Sequence, residues 1–348
     1  MNKAIPFALG SAVLFGMSTP LAKELLSTVP AVMLAGLLYV GSGVGLSVFM
    51  IGRRLLASGN AALSLPRRGE WLWLAGAIVF GGVAGPVALM YGLMTGAAST
   101  AALLLNLEAV FTAVLAWTVF RENFDRRVAL GMLAIVAGGV VLAWNPGADG
   151  AISSGLLLVA AACLCWAIDN NLTRKVSGSD AMLVSALKGL VAGAVNVGLA
   201  LVLGQTLPLP GVLGLAMTVG FLGYGVSLVL FVIALRHLGT ARAGAYYAVA
   251  PFFGAALAVV MQGDPVTLPL ISAGLLMAAG VWLHITEHHA HVHVHVQLEH
   301  THAHAHDDHH QHSHDNASGS EPHTHSHVHT PLAHEHAHYP DVHHRHPH

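Results

Sequence analysis

The first 286 residues consist of long apolar runs interrupted by short polar or turn-forming segments. A bilayer core of about 30 Å needs about 20 mostly apolar residues per helix. Runs of that kind lie near residues 4–22, 30–51, 71–93, 96–119, 128–144, 153–170, 181–203, 211–235, 240–261 and 268–285. They are separated by Pro30, the Arg53–Glu70 segment, the Arg121–Arg127 cluster, Asn145-Pro146-Gly147, Ser177-Gly178-Ser179-Asp180, Pro208 with Pro210, and Gly263-Asp264-Pro265. Each separator carries a turn or helix-start signal, so the pattern predicts ten transmembrane helices. Beyond residue 286 the chain becomes polar and carries runs in which histidine recurs at alternate positions.

Composition shows the same division. The chain of 348 residues is 55% hydrophobic and 9% charged, with a mean hydropathy of +0.64, which is membrane-protein composition. Of its 26 histidines only His237 precedes His284. The body to residue 286 has 14 Lys+Arg against 9 Asp+Glu, a net +5, and the remainder has one arginine against eight acids, a net −7. The formal net charge of −2 is the sum of these opposite values. The two cysteines, Cys163 and Cys165, lie in one apolar run, which argues against a disulfide framework or a thiolate zinc module. No nucleophile–base pair, cofactor motif or nucleic-acid motif is evident, so neither an enzyme nor a nucleic-acid binder is expected and no cofactor is required.

Basic residues near span ends are retained in the cytoplasm. With the N-terminus inside, twelve fall on inner segments: Lys3, Arg53, Arg54, Arg67, Arg68, Arg121, Arg126, Arg127, Arg174, Lys175, Arg236 and Arg242. Only Lys23 falls on an outer one. Both termini are therefore expected in the cytoplasm. Lys3 before an apolar run is also a signal-peptide feature, but no small-x-small cleavage pattern follows it.

The chain repeats itself. Gly96, Glu108, Glu122 and Gly131 pair with Gly239, Pro251, Pro265 and Gly274 at one constant offset, and Leu14-Phe15-Gly16 with Lys23 pairs with Cys165-Trp166-Ala167 with Arg174 at a slightly larger one. The domains expected are a first five-helix repeat over 1–147, a second over 148–286, and a histidine-rich tail over 287–348. An odd number of helices per repeat places the halves in opposite orientation, the architecture of alternating-access carriers.

Two segments carry a family resemblance. The run Ala101–Trp117, closing with Phe120-Arg121-Glu122, resembles the end-of-repeat signature of the EamA-like drug/metabolite transporter superfamily, and Trp166–Lys175 is similar to the start of that family's second repeat. The resemblance covers nearly all of residues 4–285. It implies an all-α, ten-helix secondary transporter of the inner membrane with cytoplasmic termini and small, often exported, solutes as cargo. Many members carry proline where this chain has Glu108, whereas its second repeat keeps Pro251.

Glu108 is the deepest acid in the chain, about 18 Å from either end of a continuous fourth span at 1.5 Å per residue. A charge there costs about 3 kcal/mol on insertion scales and needs a partner or a proton. Lys188, at comparable depth, is the expected partner, and Glu108 the expected proton- or cation-binding group. A structural ion pair between the halves is the competing reading. Asn106 and Asn196 are expected to bond neighbouring helices, as packing amides or as pathway ligands. Asp169, Asn170 and Asn171 come where a solvated cytoplasmic helix end is expected, with Asp169 a further pathway candidate. Pro251 marks the equivalent of Glu108. Tyr91, Tyr246 and Tyr247 are candidates to line a cavity or to pack. Cys163 and Cys165 are expected in the core.

In the tail, His289, His291, His293 and His295, then His300, His302, His304 and His306, His323, His325, His327 and His329, and His334, His336 and His338 recur at alternate positions. In extended chain such residues share an edge. Imidazole with nearby carboxylates and no thiolate suits Ni²⁺, Co²⁺ or Zn²⁺, as tail ligand or as cargo. Without metal the tail is expected to be disordered. The expected function is therefore secondary efflux of divalent transition-metal cations by proton antiport. The alternative is an amino-acid or metabolite exporter whose tail senses or buffers metal. The partners implied are the bilayer and a small solute or metal ion, with homodimer formation left open.

Overall fold

The computed structural model describes residues 5–56, 65–120, 126–144, 153–176, 179–238 and 246–285, and four segments of the tail. Contacts divide the chain into one compact unit over Met1–Glu287 and a second over His288–His348. Lys3, Arg121 and Arg242, used above for orientation, lie outside the described residues.

The body is helical throughout its described residues. The first two spans are Ile5–Leu25 and Ala31–Leu56. The third runs from Trp71 to Met94 through a π-helical segment, Ile78–Ala84. The fourth consists of Ala98–Leu104 and Leu107–Phe120. The fifth, sixth and seventh are Arg126–Ala143, Ser154–Thr173 and Ala181–Val202. The eighth runs from Pro210 to Leu238 through a π-helical segment, Phe221–Val226. The ninth includes Ala250–Gln262 and the tenth is Leu268–Ile285. Eight of these are long and apolar enough to cross a membrane, and the last two are shorter apolar helices. Many side chains on the outside are large and apolar, such as Val202 at 85% exposure and Leu275 at 68%. Such a surface is stable only against lipid.

The interior is built from small residues. The second span packs closely on the seventh and the fifth on the tenth. Without a hydrophobic drive between helices in lipid, such contacts depend on close van der Waals approach. Gly189 shows the tolerance: a Cβ there would lie 2.7 Å from the Gly43 backbone. The remaining large contacts come in related pairs. The first span packs on the eighth and ninth, and the sixth packs on the third and fourth. Two polar groups tie the ends. Asp264 accepts the Ser99 N–H at 2.8 Å at the start of the fourth span, and Lys23 donates to the Gly96 carbonyl.

The fourth span is not the continuous helix expected. It turns at Leu105–Asn106, where Leu105, Asn106, Glu108 and Ala109 N–H groups bond three residues back. The ninth span turns at Ala248–Val249, and the Phe252 N–H bonds the Val249 carbonyl, also three back. These turns stand at the offset that pairs Glu108 with Pro251, and so do the two π-helical starts, Ile78 and Phe221. The inverted halves therefore share their irregularities as well as their helices.

The tail is a unit of its own. Its described residues form β1 (His289–His295), β2 (Leu298–His304), β3 (His323–His329) and β4 (Leu332–His338). Strand β1 pairs antiparallel with β4 and β2 with β3, with His291 opposite His336 and His302 opposite His325. Alternation of residue type is the period of a strand. A two-stranded ladder alone is marginal in water. His306 lies outside the described residues.

Candidate functional site

The turn in the fourth span decides the setting of Glu108. It is the second residue of Leu107–Phe120, in the first turn of a half-helix, where the N-terminal dipole favours a carboxylate. Pro251 is likewise second in Ala250–Gln262. The two halves thus treat the same helix start differently. Proline removes an N–H donor that has no helical acceptor, and glutamate places a charge beside it. The Asn106 side chain completes the turn by donating to the Leu103 carbonyl at 2.9 Å, with Met277 Sδ of the tenth span at 3.9 Å. It therefore serves its own span and also reaches the tenth, a bond to a neighbouring helix as expected of it. The Cys163 thiol donates to the Leu104 carbonyl at 3.6 Å from the core.

Glu108 does not pair with Lys188. Its Oε1 accepts from Asn170 Nδ2 of the sixth span at 2.8 Å, and that amide also lies 3.4 Å from Thr112 Oγ1. Lys188 instead holds both Asp169 oxygens, at 2.5 and 2.7 Å. Thr173 Oγ1 donates to Asp169 Oδ1 at 2.8 Å. Asp169 and Asn171 are buried, so this is not the solvated helix end expected of the sequence. The reason is the third span: a Cβ on Gly81 would collide with the Asp169 carboxylate, so glycine there lets the sixth span approach. Asn170, on the adjoining face, is exposed.

Gly81 lies in the π-helical segment, where the wider turn takes carbonyls out of the regular ladder. Three side chains meet those carbonyls. Tyr39 OH and Trp166 Nε1 donate to the Gly81 carbonyl at 2.6 and 3.0 Å, and Asn196 Nδ2 donates to the Gly82 carbonyl at 2.9 Å. Asn196 thus bonds a neighbouring helix, as expected of it. The second, third, sixth and seventh spans are locked together at this level.

The corresponding corner of the other half is different. Where the first span meets the eighth and ninth there is a cavity of about 150 Å³ lined by Phe15, Tyr224, Ser227, Phe231 and Tyr247, with Gly223 and Leu228. Ser227 of its wall is bound to Ser11, Ser11 Oγ donating to the Ser227 carbonyl at 2.7 Å and Ser227 Oγ to the Ser11 carbonyl at 3.0 Å. Of the three tyrosines considered from the sequence, Tyr247 lines this cavity, Tyr246 packs beside Ala8 and Ala234, and Tyr91 is exposed.

Ten apolar helices with two sets of matched breaks and an internal carboxylate describe a carrier, and the family model matches both halves. Residues 2–144 and 153–286 each match the EamA-like transporter family. The chain belongs to the EamA-like transporter family. It is a multi-pass membrane protein whose partners are the bilayer and a small solute. An "Uncharacterized transporter" of Methanothermobacter thermautotrophicus is 28% identical over 288 residues, covering 78% of this chain and 83% of that protein. A "Probable amino-acid metabolite efflux pump" of Salmonella typhimurium is 26% identical over 302 residues, covering 80% and 93%. A solved crystal structure shares the fold of this EamA-like transporter at a TM-score of 0.60 and 20% identity, covering 81% of this chain and 96% of the other.

Among the described residues no group of three or more His, Cys, Asp or Glu comes together as a metal site. Tyr39, Thr112 and Tyr224 were not singled out as site residues from the sequence, and Trp166 was noted only for the repeat and the family resemblance. The usable signal was the alignment of Leu14-Phe15-Gly16 with Cys165-Trp166-Ala167, which places an aromatic residue at the same point of each half.

Proposed function

We propose that this transporter exports a small organic metabolite of amino-acid type from the cytoplasm across the inner membrane by proton antiport, with Glu108 as the proton-carrying group. The observation that carries the reading is the position of Glu108: in the first turn of a half-helix, hydrogen-bonded across the halves to Asn170. A carboxylate held by one neutral amide, with no cation bonded to it among the described hydrogen bonds, is free to exchange its stabilisation between a proton and a charged solute. Asp169 and Lys188 neutralise one another beside it, and Asn106, Asn196 and Pro251 maintain the breaks. The twelve inner basic residues support cytoplasmic termini. The 26%-identical relative, named a probable amino-acid metabolite efflux pump, supports the cargo class.

Proteoliposomes test the coupling. A proton gradient should drive uptake or release of labelled amino acids by the native chain, and Glu108→Gln should lose the gradient-driven component while remaining folded and inserted. Normal gradient-driven transport by that variant at several pH values would remove Glu108 from the mechanism.

A second reading, export of Ni²⁺, Co²⁺ or Zn²⁺, is favoured by the tail, whose histidines alternate with small residues. The name of the 26%-identical relative, which speaks of amino-acid metabolites, favours the first reading over it. In the first reading the tail binds metal as a sensor or buffer. Cell content of the three metals, with and without the protein, discriminates: an exporter lowers it, a buffer raises it, and an amino-acid exporter with a sensing tail leaves it unchanged.

A further inference from the structure

We propose that the aromatic cavity between the first, eighth and ninth spans binds an organic ammonium group. Phe15, Tyr224, Phe231 and Tyr247 form most of its wall. Their rings stand at varied angles. Phe15 meets Tyr224 edge-on at 5.9 Å and 77°, meets Tyr247 at 5.5 Å and 39°, and Tyr247 meets Phe231 at 4.7 Å and 47°. Behind them Tyr39 stacks on Tyr224 at 5.6 Å. An assembly of this kind brings aromatic rings at several inclinations to one half-open cavity.

The chemistry of the wall selects the ligand. A cation over an aromatic face is attracted by the ring quadrupole, most strongly when both are desolvated. Ring faces suit an organic ammonium, whose single charge is less strongly hydrated than that of a divalent metal ion. A divalent metal ion would find no carboxylate, imidazole or thiolate among the lining residues, and such ions require those donors. The Ser227 hydroxyl donates to the Ser11 carbonyl and its oxygen lies 3.2 Å from Ser11 Oγ, so the rings rather than this serine hold the charge. The volume of about 150 Å³ corresponds to about five waters at about 30 Å³ each, enough for a small head group with a few carbons.

The equivalent positions of the other half carry no such aromatic set. At the offsets that pair Glu108 with Pro251 and Lys23 with Arg174, the counterparts of Tyr224, Phe231 and Tyr247 are Gly81, Ala88 and Leu104, and that of Phe15 is Trp166. Trp166 donates its indole N–H to the Gly81 carbonyl. The aromatic wall is therefore a property of this chain's first, eighth and ninth spans and not of the repeat. The inference deepens the reading of an amino-acid-type cargo by naming the group that is held, and it is tested by equilibrium binding, which needs no proton coupling.

The test uses the full chain in lipid nanodiscs and calorimetry with choline, its neutral carbon isostere 3,3-dimethylbutan-1-ol, and Ni²⁺ with the tail deleted. Choline should bind about tenfold or more tightly than the neutral isostere, which is the size of a desolvated cation–π preference. Equal affinity for the two, or no choline binding, overturns the proposal. Phe15→Leu and Tyr247→Leu should each weaken choline about tenfold and Tyr247→Phe by less than about threefold, since phenylalanine keeps the ring; affinity unchanged in both leucine variants also overturns it. Tail-deleted protein should show no Ni²⁺ competition with choline, and competition would overturn the selectivity. Glu108→Gln separates this claim from the coupling claim. Choline binding retained in that variant with transport lost supports both, whereas choline binding lost assigns the ammonium to the carboxylate and overturns the cavity.

Discussion

The two corners where each half's first span crosses the other half's third and fourth are equivalent in the repeat and opposite in content. Around Gly81 the sixth span lies tight against the third, Trp166 and Tyr39 cap a freed carbonyl, and Asp169 and Lys188 are paired alongside. Around Tyr224 the same crossing leaves a cavity with aromatic walls and no charged lining residue. Two copies of one scaffold have been filled differently, one as a polar lock and one as a chamber. In an inverted repeat such inequality carries functional meaning, because identical halves would have no preferred side.

The comparison can be broken most severely at the ion pair. Lys188→Met leaves the Asp169 carboxylate buried with only Thr173 beside it, and loss of about 3–5 kcal/mol is expected for one partner of a buried pair. Asp169→Asn combined with Lys188→Met should recover most of that loss. Unfolding in detergent measures both, and equal stability of the single and double variants would show the pair to be solvated. Next comes Gly81→Ala. The added methyl must displace the Asp169 carboxylate, and overpacking of this kind costs about 1–3 kcal/mol. Gly223→Ala at the chamber meets the Ser18 side chain, a Cβ there lying 2.7 Å from Ser18 Cβ, so it should cost no more than Gly81→Ala; a larger loss would reverse the assignment of lock and chamber.

A smaller effect on the fold is expected when the two half-helix starts are made alike. Glu108→Pro gives the fourth span the residue that the ninth carries, in a first-turn position where proline is tolerated. It forfeits the Glu108 N–H bond to Leu105, so a loss of about 1 kcal/mol is expected, with gradient-driven transport abolished. Stable protein that still transports would show the carboxylate to be dispensable. Smallest of all, Ser227→Ala removes one of the reciprocal bonds with Ser11 and leaves the other. It should cost about 1 kcal/mol, read as a shift in unfolding midpoint, and should lower choline affinity less than Tyr247→Leu does.

Much of this organisation was legible in the sequence. Ten apolar runs and a single offset disclosed the helices and the repeat, since hydrophobic length and internal similarity are linear properties of a chain. Glu108 was recognisable as exceptional for the same reason. Its partner was not: Lys188 is equally deep, but the stagger of the fourth and sixth spans brings Asn170 to Glu108 and leaves Lys188 to Asp169. Burial of Asp169 depended on a glycine in a different span. The breaks at Leu105–Asn106 and Ala248–Val249 were hidden because one lacks both glycine and proline and the other has its proline only downstream. The tail's alternation was visible, and its pairing of β1 with β4 and β2 with β3 was not, because register arises only when distant segments meet.

By itself, then, the sequence determined the number of spans, the repeat, the charge bias between body and tail, and the one acid placed mid-span. Each is set by transfer of residues between water and lipid, which acts on the chain locally. Only the tertiary structure decided which polar groups meet, which half closes and which keeps a cavity. Those outcomes depend on the stagger of packed helices and on where a missing Cβ allows close approach, and neither is written along a single helix.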